Sequence, residues 1–333
     1  MNKTRFYPRL DFDALSLIPQ VSEIFAEAVE INFTFVSKEC RYCPLIPSPM
    51  DSVISPALSL EVFRLGGVVT LPTVGWNIDQ WQDHYSSALQ ASRASALLGI
   101  LVPPEPAVID KWLERWGDSI DFVALDTLHF RPDLHLTAIK YLKANNVHLP
   151  VISGNVTEKE GARRVIDADA DAVRVGMTSA SINQGKALTG CARSQLAAVF
   201  DCAKPCGDAG VALICDGGIS SPDRAVKAFA LGANAVMMGA AFAATDESAA
   251  PLVKIDGHAY KRYAGMSQVD KISAELIAEG TEHLLIPTGN AEMLIQRWMS
   301  ICRIAIARAG AASISQLHSI SMFEVDALME KWR

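Results

Sequence analysis

The sequence predicts a single-domain (β/α)₈ barrel. Short apolar runs alternate with longer stretches of helical periodicity, and eight such runs occur before the alternation breaks. The runs are rich in Val, Ile and Leu, as parallel strands buried on both faces are. A chain of 333 residues, half of them apolar, can bury one large core of this kind. This size favours a single domain that spans residues 1–333, and two small domains are the alternative.

Each apolar run is bounded by turn-forming or polar residues, which sets the expected strand ends. The predicted strands are Cys43–Pro47, Gly67–Leu71, Leu98–Val102, Phe122–Leu125, Pro150–Ser153, Ala172–Val175, Val211–Cys215 and Ala235–Met238. Eight parallel strands with helical crossovers close into a barrel rather than an open sheet.

Helical periodicity fills the segments between the strands. The predicted helices are Ile78–Ala91, Ala107–Trp116, Leu134–Asn145, Thr157–Ala168, Ser194–Cys206, Ser221–Ala230 and, later, about Asn290–Ala309. Asn77, Thr157 and Ser221 are expected to cap first-turn amides, and Pro222 suits a first helical position. Between the eighth strand and the last helix, residues 239–289 break the alternation, and an excursion of that length at this end of a barrel indicates a functional flap.

Composition and charge exclude several classes of partner. The net charge of −7 is spread along the chain without a basic cluster, so no nucleic-acid surface is expected. No apolar run approaches the roughly 18 residues of a membrane span. The N-terminal residues lack an apolar signal core, so we expect a cytoplasmic protein with reduced cysteines. Cys40 and Cys43 form a CxxC pair with no second pair at zinc-site spacing, so no metal is assigned.

Two glycine-rich segments, CDGGIS and MGAA, end the seventh and eighth predicted strands. Loops after these two strands of a barrel commonly bind phosphate, because small residues let the anion approach backbone N–H groups. Gly217, Gly218, Gly239 and Ala240 are therefore phosphate candidates, and Asp216 could hold a ribose diol. Either motif alone is more readily explained as a tight turn; the two together favour phosphate binding.

Ordered motifs along most of the chain resemble the IMP dehydrogenase/GMP reductase family. They are LDFDALSLIP at 10–19, SPMDSV at 48–53, GNVT at 154–157, the loop DAVRVGMTSASINQGKALTGCARSQLA at 171–197, DGGIS at 216–220, MMGAAFA at 237–243, DES at 246–248, YAGMS at 263–267 and EG at 279–280. The resemblance places an active-site loop at about 176–195 and the flap at about 239–289.

The resemblance implies a purine nucleoside monophosphate and a nicotinamide cofactor, NADPH or NADH, as ligands. The nucleotide would be bound by Ser48 and Met50 at the purine, by Asp216 at the ribose, and around the phosphate by Ser181, Gly217, Gly218, Gly239, Ala240, Gly265, Met266 and Ser267. The cofactor would lie beside Asp126, Asn155, Gly176 and Met177. No strand–GxGxxG–helix unit is present, and the family does not use one. Family members are tetramers, so a homotetramer is expected.

Within the family, the chain looks closest to GMP reductases. Residues 88–97 run directly to the third predicted strand, without the regulatory module that dehydrogenases generally insert there. The flap, AEGTEHLLIPTGN, also lacks the Arg-Tyr pair with which dehydrogenases activate water.

The chain departs from GMP reductases at the groups that perform the reaction. Where those enzymes carry a cysteine nucleophile, a threonine and a flap glutamate, this sequence has Asn183, Gly185 and Glu279. Their His-Lys pair near the cofactor is replaced by Thr73 and Val74. An amide has no ionisable nucleophile, so covalent catalysis through residue 183 is excluded.

Four residues remain as possible sources of chemistry. Glu279, in a flap over an apolar pocket, is a candidate general acid or base, with a solvated lid carboxylate as the simpler alternative. Asn183 and Asp126 stay candidates by position, since both match catalytic-centre positions of the family. Cys191 is the nearest alternative thiol, and an inert loop cysteine is the simpler interpretation.

Three functions follow from these observations. The favoured one is a GMP-reductase-like oxidoreductase that uses NAD(P)H on a GMP-like or modified purine nucleotide without a cysteine thioimidate. The second is a catalytically inactive nucleotide-binding or regulatory homologue. The third is a nucleotide lyase or hydrolase in which Glu279 activates water.

Overall fold

Eight parallel strands and the helices between them form the body of the protein, which is described from a computed structural model. The structure describes residues 10–35, 41–91, 95–125, 130–145, 148–177, 185–265 and 281–325. Its strands are β1 Leu15–Leu17, β2 Leu45–Pro47, β3 Val68–Pro72, β4 Leu97–Val102, β5 Phe122–Leu125, β6 Val151–Val156, β7 Ala172–Val175, β8 Ala212–Asp216, β9 Ala235–Met238, β10 Leu252–Ile255, β11 His258–Ala264, β12 Glu282–Leu285 and β13 Phe323–Val325.

The helices follow the strands as a barrel requires. They are α1 Pro56–Arg64, α2 Ile78–Gln90, α3 Pro106–Trp116, α4 Pro132–Ala144, α5 Lys159–Asp167, α6 Gly185–Thr189, α7 Gln195–Ala209, α8 Pro222–Ala230, α9 Ala240–Ala243, α10 Ala291–Arg308 and α11 Ile314–Ile320. Strands β2 to β9 are the eight predicted strands, and the order β2-β9-β8-β7-β6-β5-β4-β3 confirms the predicted (β/α)₈ barrel. Where β2 and β3 meet, the Cys43 amide donates to the Gly66 carbonyl at 2.9 Å.

Side chains of alternate strand residues fill the barrel interior, as period-two strands require. One buried apolar cluster lines it, including Ile46, Phe122, Ile152, Ile214 and Met237. The bottom is closed by aromatic residues of the segment before β2, since Phe35 packs edge-on against Phe122 with ring centroids 5.3 Å apart. The barrel is therefore a filled core, and the next inward positions at the carboxyl ends of the strands are left for a ligand.

At the opposite, amino ends, side chains between strands accept hydrogen bonds from neighbouring strands. Asp121 accepts from the Leu98 amide at 2.8 Å, Asp171 from the Val151 amide at 2.7 Å, and Asn234 from the Leu213 amide at 2.8 Å. Each bond satisfies an amide at a strand start. These polar residues therefore serve the stability of the barrel.

Two of the predicted helix caps are wrong. Asn77 caps α2 as expected, accepting from the Asp79 amide at 3.0 Å, and Pro222 begins α8. Thr157 lies outside α5, whose N-cap residue is Glu158, and no side chain bonds to the first-turn amides there. Ser221 is the N-cap residue of α8, but its hydroxyl donates to the Asp223 carboxylate. In both cases packing of the helix on the barrel replaces the missing cap bond.

The excursion after β9 is more ordered than a break in periodicity suggests. It contains the short helix α9 and an antiparallel sheet of three strands, β10-β11-β12. Lys261 of β11 is paired with Leu252 on one side and Leu285 on the other. Strands β11 and β12 lead into and out of residues 266–280, which fall outside the described ranges.

No helix in the described ranges combines the length and apolar character that a bilayer span needs.

Candidate functional site

The predicted ligand-binding residues that the structure describes come together at the carboxyl ends of the barrel strands. These residues continue the strands past their inward-facing positions. Two residues after Ile46, Ile214 and Met237 come Ser48, Asp216 and Gly239, and Gly176 directly follows β7. The Ser48 amide donates to the carbonyl of Met238, 3.1 Å away, which sets Ser48 beside Gly239. Adjacent strands β7, β8, β9 and β2 thus supply one continuous side of the site.

Asp216 is the electrostatic centre of this side. Its Oδ2 atom accepts from Nη2 of Arg174 at 2.7 Å and from Nδ2 of Asn155 at 2.8 Å. The Arg174 and Asp216 side chains are only 6% and 14% exposed, so the ion pair lies in a low-dielectric setting. Both described hydrogen bonds reach Oδ2, and Oδ1 receives none from the described residues. The carboxylate therefore keeps one oxygen for a ligand hydroxyl.

Asn155 carries a second unused acceptor. Because its Nδ2 faces a carboxylate, the orientation of the amide is determined by chemistry, and the carbonyl oxygen must point the other way. That Oδ1 atom is buried and has no hydrogen-bond partner among the described residues. Buried polar atoms are almost always satisfied, so this acceptor suits a ligand that brings an N–H group.

Glycine is required where the backbone approaches these groups. A Cβ atom on Gly176, whose φ is +137°, would lie 2.2 Å from the Asp216 carbonyl oxygen. A Cβ atom on Gly239 would lie 2.0 Å from the hydroxyl oxygen of Tyr263. Gly217 and Gly218 have φ values of +91° and +75°, and Nη1 of Arg224 holds the Gly218 carbonyl at 3.0 Å. Gly176 therefore combines close approach with a positive φ, Gly239 is required by close approach alone, and Gly217 and Gly218 by their positive φ.

Tyr263 belongs to the site although the motifs did not single it out. It is 2% exposed, packs on Gly239, and places its hydroxyl 3.6 Å from the Met50 sulfur. Burial is the main cause that raises the pKa of its phenol, and the nearby Asp216 charge adds to it. Its position directly before the predicted phosphate residues could have indicated it. The tyrosine therefore lies between Met50, a predicted purine residue, and Gly239, a predicted phosphate residue.

Gly265, a predicted phosphate residue, directly follows β11. Its amide donates to the Thr281 carbonyl at 3.1 Å, which closes the base of the flap. The Ser52 hydroxyl donates to the neighbouring Ala264 carbonyl at 2.6 Å and ties the loop after β2 to β11. Met177 continues the β7 loop and is half-buried.

Six predicted residues lie outside the described ranges: Asp126, Ser181, Asn183, Met266, Ser267 and Glu279. The two described positions that replace the reductase His-Lys pair have separate surroundings. Thr73 is buried and donates to the Leu101 carbonyl at 2.5 Å, whereas Val74 is 43% exposed. Neither provides a charge.

Burial keeps several of the described thiols protonated. Cys215 is adjacent to Asp216 but fully buried, and desolvation raises its pKa to about 12. Burial likewise raises the pKa of Cys43 to about 11 and those of Cys206 and Cys302 to about 12. Only the thiolate attacks carbon, so these groups are inert at neutral pH. In the same ranges, no group of three or more His, Cys, Asp or Glu side chains is arranged to hold a metal ion.

A filled (β/α)₈ barrel with glycine turns after its last two barrel strands, and with the largely buried Asp216 directly before the first of them, defines a barrel protein with a candidate ligand site at the carboxyl ends of its strands. The family model described as IMP dehydrogenase / GMP reductase domain matches residues 9–328. The chain belongs to this family, a family of oxidoreductases.

Curated relatives support the same assignment. Inosine-5'-monophosphate dehydrogenase of Thermoplasma acidophilum is 30% identical over 244 residues, 70% of this chain and 50% of the relative. The protein of the same name in Pasteurella multocida is 31% identical over 275 residues, 78% of the chain and 55% of the relative. The chain thus spans about half the length of these relatives.

A third relative aligns over most of its own length. Inosine-5'-monophosphate dehydrogenase of Borreliella burgdorferi is 23% identical over 375 aligned positions, which cover 94% of this chain and 93% of the relative. A protein with that name therefore matches nearly end to end.

Proposed function

We propose that this chain is a GMP-reductase-like oxidoreductase that transfers hydride between NAD(P)H and a GMP-like or modified purine nucleoside monophosphate, without a cysteine thioimidate. The observation that carries the proposal is the geometry at the carboxyl ends of the strands: Asp216 accepts from Arg174 and Asn155 through Oδ2 beside close-packed glycines, while burial raises the pKa of the adjacent Cys215 thiol. The cofactor supplies the hydride; the protein must supply placement and charge.

The nucleotide would be held along β8, β9 and β2. Asp216 would accept the ribose hydroxyls on Oδ1, because Oδ2 is engaged by Arg174 and Asn155. The phosphate would lie at the turns of Gly217, Gly218 and Gly239, which carry no side chains of their own between the anion and the backbone amides. Ser48 and Met50 would line the purine, next to Tyr263.

The residues present suit a nicotinamide ring beside the purine. Its carboxamide carries the N–H donors that the buried Asn155 oxygen requires. Gly176 would form the edge of this subsite, where its backbone packs closely against Asp216 and Gln195. Asp126 and Met177 would complete this subsite, and Glu279 would move the proton that accompanies hydride transfer. A homotetramer is part of the proposal, tested by the mass of the protein in solution.

The test is turnover with a panel of purine nucleotides. Purified protein is mixed with NADPH or NADH and each nucleotide, and the nicotinamide absorbance is followed. We expect oxidation of reduced cofactor, or reduction of the oxidised one, with at least one 5′-monophosphate, and none with the nucleoside lacking phosphate. Asp216→Leu should abolish the signal. No change with any nucleotide and either cofactor would reject the proposal.

A nucleotide-binding protein without turnover is the second candidate, because Asn183 and Gly185 remove the family's nucleophile and its threonine together. Calorimetry separates the two. Binding of a purine monophosphate with no binding of NADPH or NADH supports the binding protein. Product analysis in the absence of cofactor would reveal lyase or hydrolase chemistry by Glu279 instead.

A further inference from the structure

Lys261 of β11 is a buried lysine outside the ligand-binding residues. It is 5% exposed, and burial lowers the pKa of its ammonium group, opposed by the nearby charges of Asp246 and Glu247. A lysine in such a position is costly unless its three N–H groups find acceptors. Its surroundings therefore have to account for the charge.

The acceptors are main-chain carbonyls of a single turn. Nζ donates to the carbonyl oxygens of Ala250 at 3.1 Å, Asp246 at 3.2 Å and Ser248 at 3.5 Å. In the described ranges, no carboxylate oxygen lies within ion-pair distance of Nζ. The ammonium is thus held by carbonyl dipoles on alternate residues, which is a coordination pattern and not a salt bridge.

The turn 246–250 connects the flap to the rest of the barrel. The Ala249 amide donates to the Val53 carbonyl at 3.1 Å, in the loop that follows Ser48 and Met50. Glu247 accepts from the Ala291 amide at 2.9 Å at the start of α10. The Ser248 hydroxyl donates back to the Ala243 carbonyl at 2.7 Å, at the end of α9. Whatever fixes the turn therefore fixes three neighbouring elements.

We propose that the carbonyls of Asp246, Ser248 and Ala250 form a monovalent-cation site that Lys261 fills with its own ammonium group. Carbonyl oxygens can replace the hydration shell of a potassium ion, and an ammonium group is of similar size. The fixed cation holds β11 against the barrel. Tyr263 lies on the same strand and Gly265 directly follows it, so Lys261 is a positioning residue for the base of the flap.

Two substitutions at residue 261 distinguish a cation site from a structural side chain. Lys261→Ala removes the stem and opens the carbonyls to an external cation. Lys261→Met keeps a stem that reaches the carbonyls, without charge, and blocks the space. In choline chloride, whose cation is too large to enter, both variants should lose about 4–8 °C of Tm, because three carbonyls lose a charged donor.

Salt exchange then gives the decisive result. Potassium, ammonium or n-propylammonium chloride should restore at least half of the loss in Lys261→Ala, after subtraction of the wild-type response. The same salts should leave Lys261→Met unchanged. Folding of Lys261→Ala only in potassium or ammonium would also support the site.

Three results would overturn the inference: an unchanged Tm in Lys261→Ala, a loss that none of the three cations reverses, or equal rescue of both variants. Failure of Lys261→Ala to fold in every salt counts as the second of these. The assay needs no turnover, so its outcome is independent of the proposed enzymatic function.

Discussion

Removal of Asp216 alone, compared with removal of Asp216 and Arg174 together, distinguishes the role of Asp216 in stability from its role in binding. The two side chains form a buried ion pair at 2.7 Å, with 6% and 14% of their surfaces exposed. Asp216→Leu leaves the Arg174 charge buried without this carboxylate, which costs about 3–5 kcal/mol of stability in comparable pairs. Replacement of both partners by apolar residues of similar size is often neutral.

The expected order of stability follows from that asymmetry. Asp216→Leu should lower the free energy of unfolding by about 3–5 kcal/mol, and the double variant Arg174→Met/Asp216→Leu should recover part of the loss, since the Asn155 amide still lacks its acceptor. Denaturant unfolding, followed by circular dichroism, measures both values. The double variant serves as the matched control, because it removes the guanidinium without restoring the carboxylate.

Nucleotide binding should not recover with stability. Each hydrogen bond from a ribose hydroxyl to a carboxylate contributes about 1.5–3 kcal/mol, roughly 10- to 150-fold in Kd. Calorimetry with GMP and IMP should therefore show weaker binding by at least tenfold in the single and the double variant alike. A double variant that binds as tightly as wild type would refute the assignment of Asp216 to the ribose, and a stable Asp216→Leu would refute the electrostatic argument.

Four further outcomes test other parts of the description. Gly239→Ala should cost about 1–3 kcal/mol of stability, because its Cβ would lie 2.0 Å from the Tyr263 oxygen. Adding Tyr263→Phe should recover part of that loss in the same unfolding assay, and no recovery would mean that the contact is unimportant. Burial lowers the pKa of His318 from its usual 6.5, so the folded protein favours the neutral imidazole. The contribution of His318 to stability is therefore complete above pH 6.5 and is lost as pH falls, because the unfolded state then binds more protons than the folded state. Tm measured against pH should fall more steeply below that value in wild type than in His318→Asn, and a shallower fall in wild type would contradict the sign. Iodoacetamide under native conditions should label exposed Cys191 before Cys43, Cys202, Cys206, Cys215 and Cys302, as peptide mass mapping would record; early labelling of Cys215 would reveal an activated thiol. Asn183→Cys should not produce GMP-dependent NADPH oxidation, because Gly185 and Val74 still differ from the reductases, and robust activity in that variant would show that one residue controls the reaction.

The barrel could be predicted because its strands are buried on both faces. Such strands are short, continuous apolar runs, and three of the eight, Phe122–Leu125, Ala172–Val175 and Ala235–Met238, have the predicted bounds. Helix starts were harder: Thr157 and Ser221 have capping side chains, yet neither bonds to a first-turn amide. Packing on the sheet positions a helix strongly enough to override a local capping preference.

The candidate site was likewise predictable only in part. Glycine turns and a carboxylate at strand ends have a sequence pattern, so Asp216, Gly218 and Gly239 could be proposed from the sequence alone. The roles of Arg174, Tyr263 and Lys261 depend on contacts between residues distant in sequence, such as the hydrogen bond from Lys261 to Asp246 across the flap hairpin. A lysine in an exposed-looking strand has no local feature that marks it as buried.

We propose that the nucleotide and cofactor positions remain functional although Asn183 stands in place of the family's cysteine nucleophile. Transfer of deuterium from reduced nicotinamide labelled at C4 to a purine nucleotide tests it directly, with both nucleotide and intact protein analysed by mass spectrometry. We expect deuterium on the purine ring of the product and no nucleotide covalently attached to the protein. Absence of transfer with every purine monophosphate, or a protein-bound adduct that forms and decays during turnover, would contradict it.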